Sequence, residues 1–78
     1  MTGAISHILG KTICGVIAKE GEATPRSQVF LLFTDGTYYE LYSDARIQGT
    51  KGVDKGGPEE VRGYFTRNRV VFEAFCGQ

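Results

Sequence analysis

Seventy-eight residues, of which 41% are apolar, 12% aromatic and 23% charged, make a chain the size of one small domain and exclude a disordered segment, which would lack the apolar side chains needed to collapse. Nine Lys and Arg balance nine Asp and Glu, so there is no net basic field to gather nucleic acid or an anionic membrane surface. A single domain over 1–78 is expected.

Residues 1–9 carry neither a basic stretch nor a long apolar run, so no secretory signal is expected. No apolar stretch approaches the ~20 residues of a membrane-spanning helix. A cytoplasmic location and no membrane partner are the default expectation. Over 10–19 the run GKTICGVIAK is rich in β-branched residues that suit a pleated surface, and it reads as a strand. Gly15 in its middle points to a bulge or a close backbone approach. Residues 20–27, EGEATPRS, form the exposed loop of a wide hairpin.

Residues 28–34 (QVFLLFT) and 37–43 (TYYELYS) flank Asp35-Gly36, a pair that suits a two-residue type I′ turn. That register sets Phe33 opposite Tyr38 and Phe30 opposite Leu41. One face then carries Val29, Leu31, Phe33, Tyr38, Glu40 and Tyr42, and the other carries Phe30, Leu32, Tyr39 and Leu41. Both faces are apolar, so the hairpin needs cover on two sides.

The segment 44–57, DARIQGTKGVDKGG, holds four glycines and reads as loop, with Ile47 closing a short strand at most. Residues 58–67, PEEVRGYFTR, begin with Pro in the first turn and two acids at the positive end of the dipole, which predicts a helix that stops at Asn68. Val61, Tyr64 and Phe65 fall on one helical face and should lie on the sheet. Gly63 signals close packing there or a local weakness. Residues 69–76, RVVFEAFC, return to period two as the last strand.

The spacing in GTKGVDKGG fits no Walker-type phosphate loop, and GxGxxG is absent. A basic loop entering a helix can attract an anion, although Glu59 and Glu60 oppose it. His7, the one histidine, sits in the least patterned stretch and lacks a nucleophile beside it. Glu40 and Glu73 stand among apolar neighbours, where a carboxylate pairs with Arg, sits at a sheet edge, or takes on acid–base work in a pocket; pairing or edge exposure is the expectation. Cys14 and Cys76 lie at opposite ends of the chain inside apolar runs, with no CxxC pair and no nearby His. Buried reduced thiols are expected, with no metal and no cofactor.

A candidate binding patch consists of Arg46, Lys51, Lys55, Arg62, Tyr64, Arg67 and Arg69. The last four sit in a run where arginines interleave with aromatics, as in single-strand nucleic-acid sites. The expected fold is α+β: an antiparallel sheet of about four strands with one helix, 58–67, on one face. One helix cannot cover two apolar faces, so a second copy is expected on the other. The function anticipated is that of a non-catalytic protein-interaction or regulatory module acting as a homodimer, with an unidentified protein partner. Single-stranded nucleic-acid binding through the Arg/Tyr patch is the alternative.

Overall fold

A computed structural model describes residues 5–44, 46–50 and 52–77. A 3-10 turn (Ile5–Ile8) leads into β1 (Ile13–Glu20), β2 (Ser27–Phe33), β3 (Thr37–Ser43), β4 (Ile47–Gly49), β5 (Asp54–Lys55), α1 (Pro58–Gly63) and β6 (Arg69–Phe75). All strand pairings are antiparallel, in the order β4-β3-β2-β1-β6, and β5 pairs with β3 beside β4. The α+β reading stands, but among the described residues the sheet has six strands rather than about four. The two added strands come from the glycine-rich segment. Their ladders with β3 are made of backbone groups, which a period-two side-chain pattern does not reveal.

The β2–β3 hairpin forms where expected, with a different register. Its loop is Thr34-Asp35-Gly36, in which Gly36 takes φ +82° and its N–H donates to the Phe33 carbonyl at 3.2 Å. This is a three-residue turn with glycine in the left-handed position. The Asp35 carboxylate accepts from the Thr37 N–H at 3.1 Å and pairs with the Lys11 ammonium. Those two partners, Lys11 first, hold the Asp35 carboxyl down at about 2. The extra loop residue sets Phe30 opposite Glu40 and Leu32 opposite Tyr38. A slip of one residue exchanges faces along a whole strand. Tyr38, Glu40 and Tyr42 therefore join Phe30 and Leu32, while Tyr39 and Leu41 join Val29 and Leu31.

Register across the sheet then defines each face. On the helix side one row runs Glu73, Ile17, Phe30, Glu40 and the next runs Phe75, Gly15, Leu32, Tyr38. Val61 of α1 closes a core with Ile17, Phe30 and Leu32, all at most 3% exposed, with Tyr38 and Phe75 against it. The Phe75 ring lies over Gly15, where an added Cβ would sit 2.6 Å from Cδ1, so the close approach expected at Gly15 is present. A bulge is present too, between Ile13 and Gly15.

Helix α1 ends at Gly63, four residues short of the expected end. Tyr64 has left the helix, and Phe65 takes φ +51° in place of the left-handed stop foreseen at Asn68. Gly63 has no atom near the place of a Cβ, so it does not mark close packing. Val61 is buried as expected, while Tyr64 is 48% exposed with its ring edge-on to Phe30 at 6.0 Å. The cysteines also depart from expectation. Cys14 is half-buried, Cys76 is exposed, and the strand pairing brings them side by side.

Candidate functional site

The expected patch is spread over the molecule. Arg46 precedes β4, which pairs with the Ser43 end of β3, and Lys55 pairs with Thr37 at the other end. That separates them by roughly 20 Å at ~3.4 Å per residue. Lys51 lies outside the described residues. The Arg62 guanidinium donates to both Glu73 oxygens at 3.0 and 2.9 Å and stands 5.5 Å from the Phe75 ring centre. Glu73 thus has the arginine partner its surroundings called for. Arg67 and Arg69 do meet, in an open cleft of about 710 Å³ at the β1–β2 end, but Glu20 and Glu22 line the same cleft and offset their charge. Tyr64 stands apart from both, against Phe30.

A second polar centre emerges beneath the end of α1. Lys19, 1% exposed on β1, points its ammonium at the carbonyls where the helix breaks: Tyr64, Val61 at 3.3 Å, Arg62 at 3.4 Å and Phe65 at 3.5 Å. A cation at a helix C-terminus meets the negative end of the dipole and the unpaired carbonyls together. Burial lowers the Lys19 pKa, and the Glu40 carboxylate opposes that shift. Next to it the Gln28 amide donates to Glu40 Oε2 at 2.7 Å, and the Asn68 amide donates to Gln28 Oε1 at 2.8 Å and to the Pro25 carbonyl at 2.7 Å. Burial raises the Glu40 pKa, Asp54 adds to the rise, and the Gln28 hydrogen bond and Lys19 hold it back. Glu40 is therefore neither paired with an arginine nor exposed at an edge. It opens instead on a cleft of about 360 Å³ walled by Gln28, Tyr42, Tyr64 and Phe65.

Glu40 and Tyr64 were recognisable in the sequence as residues to watch. Lys19, Gln28 and Asn68 were not, because each is an ordinary polar residue until the register buries it. Among the described residues no group of three metal-binding side chains occurs, and no helix is long and apolar enough to cross a membrane.

The opposite face of the sheet is of another kind. One row runs Phe72, Ala18, Val29, Leu41 and the next runs Ala74, Val16, Leu31, Tyr39. Neither row contains a charged side chain. Phe72 is 60% exposed, and Val29, Leu31 and Leu41 are only partly covered. The 3-10 turn reaches one corner, where Ile5 shares a shallow cavity with Leu41 and Ile47. A second shallow depression, about 180 Å³ and almost wholly apolar, lies between Val29, Leu41 and Ile47. The molecule measures 32 × 31 × 17 Å. Seventeen ångströms accommodates the sheet and one helical layer, sheets and their packed neighbours lying ~10 Å apart. β6 forms the outer edge on one side, with six of its seven residues exposed.

No protein-family model, curated protein or solved structure matches this chain.

Proposed function

We propose that the protein is a non-catalytic interaction module that works as a homodimer, with the sheet face opposite α1 packed against the same face of a second copy. The observation that carries this reading is the part of those uncharged rows that the described residues leave open, where Phe72 is 60% exposed and Val29, Leu31 and Leu41 are half-buried, while Tyr39 and Ala18 in the same rows are already buried within one chain. Sheet faces of this composition bury themselves against another layer, and sheet-on-sheet packing is one of the two standard ways to do so. Four strands of about seven residues, ~4.8 Å apart with ~3.4 Å per residue, give a face of roughly 450 Å² in projection. A two-fold axis lets one surface serve as both halves of the contact.

Single-strand nucleic-acid binding is the lesser reading, since Arg62 is committed to Glu73 and the pair Arg67 and Arg69 shares its cleft with two acids. Light scattering on the purified chain tests the proposal. The expected mass is twice the 8.6 kDa of one chain, and Phe72→Lys should return it to a single chain with an unchanged circular dichroism spectrum. A wild type that stays at 8.6 kDa at high concentration overturns the homodimer. Uptake of an apolar dye or of neutral lipid vesicles by that monomer would assign the face to another occupant.

A further inference from the structure

We propose that Cys14 and Cys76 form a reversible cross-strand disulfide that fastens β6 to β1. The register Gly15 to Phe75 continues by one residue to Cys14 and Cys76, and the Cys76 N–H donates to the Cys14 carbonyl at 2.9 Å. Residues directly opposed on antiparallel neighbours have Cα atoms ~4.5–5.5 Å apart and side chains on the same face. A hydrogen-bonded pair of this kind has its Cα atoms ~5.5 Å apart, inside the ~4.4–6.8 Å range of a disulfide, and its Cβ atoms, ~5.5 Å apart, have to close by about 1 Å for the bond to form. The Cys76 sulfur lies 3.8 Å from the carbonyl oxygen of Ile13, the residue before Cys14. It is held over the β1 backbone rather than turned away from it.

Access and consequence agree with this assignment. Cys76 is exposed and Cys14 half-buried, so a soluble reagent reaches Cys76 first. The reactant is a low-molecular-weight disulfide such as oxidised glutathione. The Cys76 thiolate attacks one of its sulfurs, forming a mixed disulfide and expelling one glutathione thiolate. The Cys14 thiolate then attacks the Cys76 sulfur and expels the second. The protein loses two thiol protons and two electrons, and the oxidant is reduced to two thiols. Strand β6 stands to gain most, since among the described residues it pairs with β1 alone and is exposed along nearly its whole length.

Incubation of the dilute, intact chain with oxidised glutathione, followed by alkylation, mass spectrometry and a melting scan, is the test. The expected product has lost both alkylatable thiols together, is lighter by two hydrogens, and yields a single peptide joining Cys14 to Cys76. Its Tm is higher than that of the reduced chain by about 8 °C or more, as closing a long loop implies, and dithiothreitol reverses the shift. In Cys14→Ser the reaction stops with one glutathione on Cys76. Two free thiols, a stable glutathione adduct on the wild type, bonds only between chains, or a Cys14–Cys76 bond that leaves Tm unchanged or lower would each overturn the assignment.

Discussion

Replacing Lys19 by Met removes the ammonium while keeping a long unbranched stem in the same buried slot. In the native chain that ammonium donates to the Tyr64 and Val61 carbonyls, the latter at 3.3 Å, with the Arg62 and Phe65 carbonyls at the limit of bonding distance. Two hydrogen bonds from a charged donor contribute at least ~1.5 kcal/mol each, for a total of about 3 kcal/mol. Two smaller effects act in opposite directions. Burial of the charge has a desolvation cost that Met avoids, as the lowered Lys19 pKa shows, whereas the neighbouring Glu40 loses its compensating cation. The expected net loss is therefore about 2–4 kcal/mol, against a total of roughly 4–12 kcal/mol for a domain of this length.

Urea unfolding followed by circular dichroism measures that loss. A slope of ~1.5 kcal/mol per molar urea places the Lys19→Met midpoint about 2 M below that of the wild type. Amide exchange adds a local readout, because the N–H groups of 61–65 should lose protection before those of β2. The segment they belong to carries Tyr64 and Phe65, so Lys19 positions one wall of the cleft beside Glu40. A midpoint within ~0.3 M of the wild type, about 0.5 kcal/mol on that slope, with unchanged exchange at 61–65, would refute the idea that the ammonium holds the broken helix end.

Two further outcomes follow from the same region. The buried Glu40 carboxyl has a raised pKa, so the folded chain binds its proton more tightly than the unfolded chain does. Its contribution is present below the ordinary value of 4.5 and is lost as pH rises through the raised one. Urea midpoints measured from acid to neutral pH should show this slope in the wild type and not in Glu40→Gln; equal slopes would show that Glu40 does not titrate differently in the fold. Gly21→Ala should cost about 1–3 kcal/mol, because the new methyl would collide with Asn68 Oδ1 and lie 2.8 Å from the Arg67 carbonyl; a melting temperature within ~2 °C of wild type would contradict that packing.

Where local chemistry decides a structure, the residues themselves announced it. Asp35-Gly36 announced the hairpin, Pro58 with Glu59 and Glu60 the helix start, and the alternation of 69–76 the last strand. The register was not announced, because Asp-Gly serves a two-residue turn and equally the end of a three-residue turn. In the fold the three-residue turn carries the Lys11–Asp35 pair and the tie from the Gly56 N–H to the Gly36 carbonyl at 2.9 Å, both made by distant parts of the chain. The helix end was hidden for a similar reason. Tyr64 and Phe65 continue a helical apolar spacing, and it is Lys19, far back on β1, that captures the carbonyls of the broken turn. Glu40 stood out as a carboxylate among apolar neighbours, but its face, its partner Gln28 and its cleft all depended on the register.

The two proposals meet on β6 and remain separable there. Phe72 opposes Ala18 and so projects from the open face, while Cys76 lies at the end of the same strand beside Cys14 on β1. A strand held on one side only is the part of a sheet most free to open, and an opened β6 would carry Phe72 out of the apolar rows. Fastening it to β1 keeps Phe72 in line with Ala18, Val29 and Leu41, so the oxidised chain should present the more continuous face. The coupling has a direction that mass measurements can read. If both proposals hold, oxidation tightens self-association in the wild type and leaves Cys76→Ser unaffected. Phe72→Lys, by contrast, abolishes self-association in either redox state and still forms the Cys14–Cys76 bond. A dimer indifferent to oxidation would leave each proposal to its own test and break only the link between them.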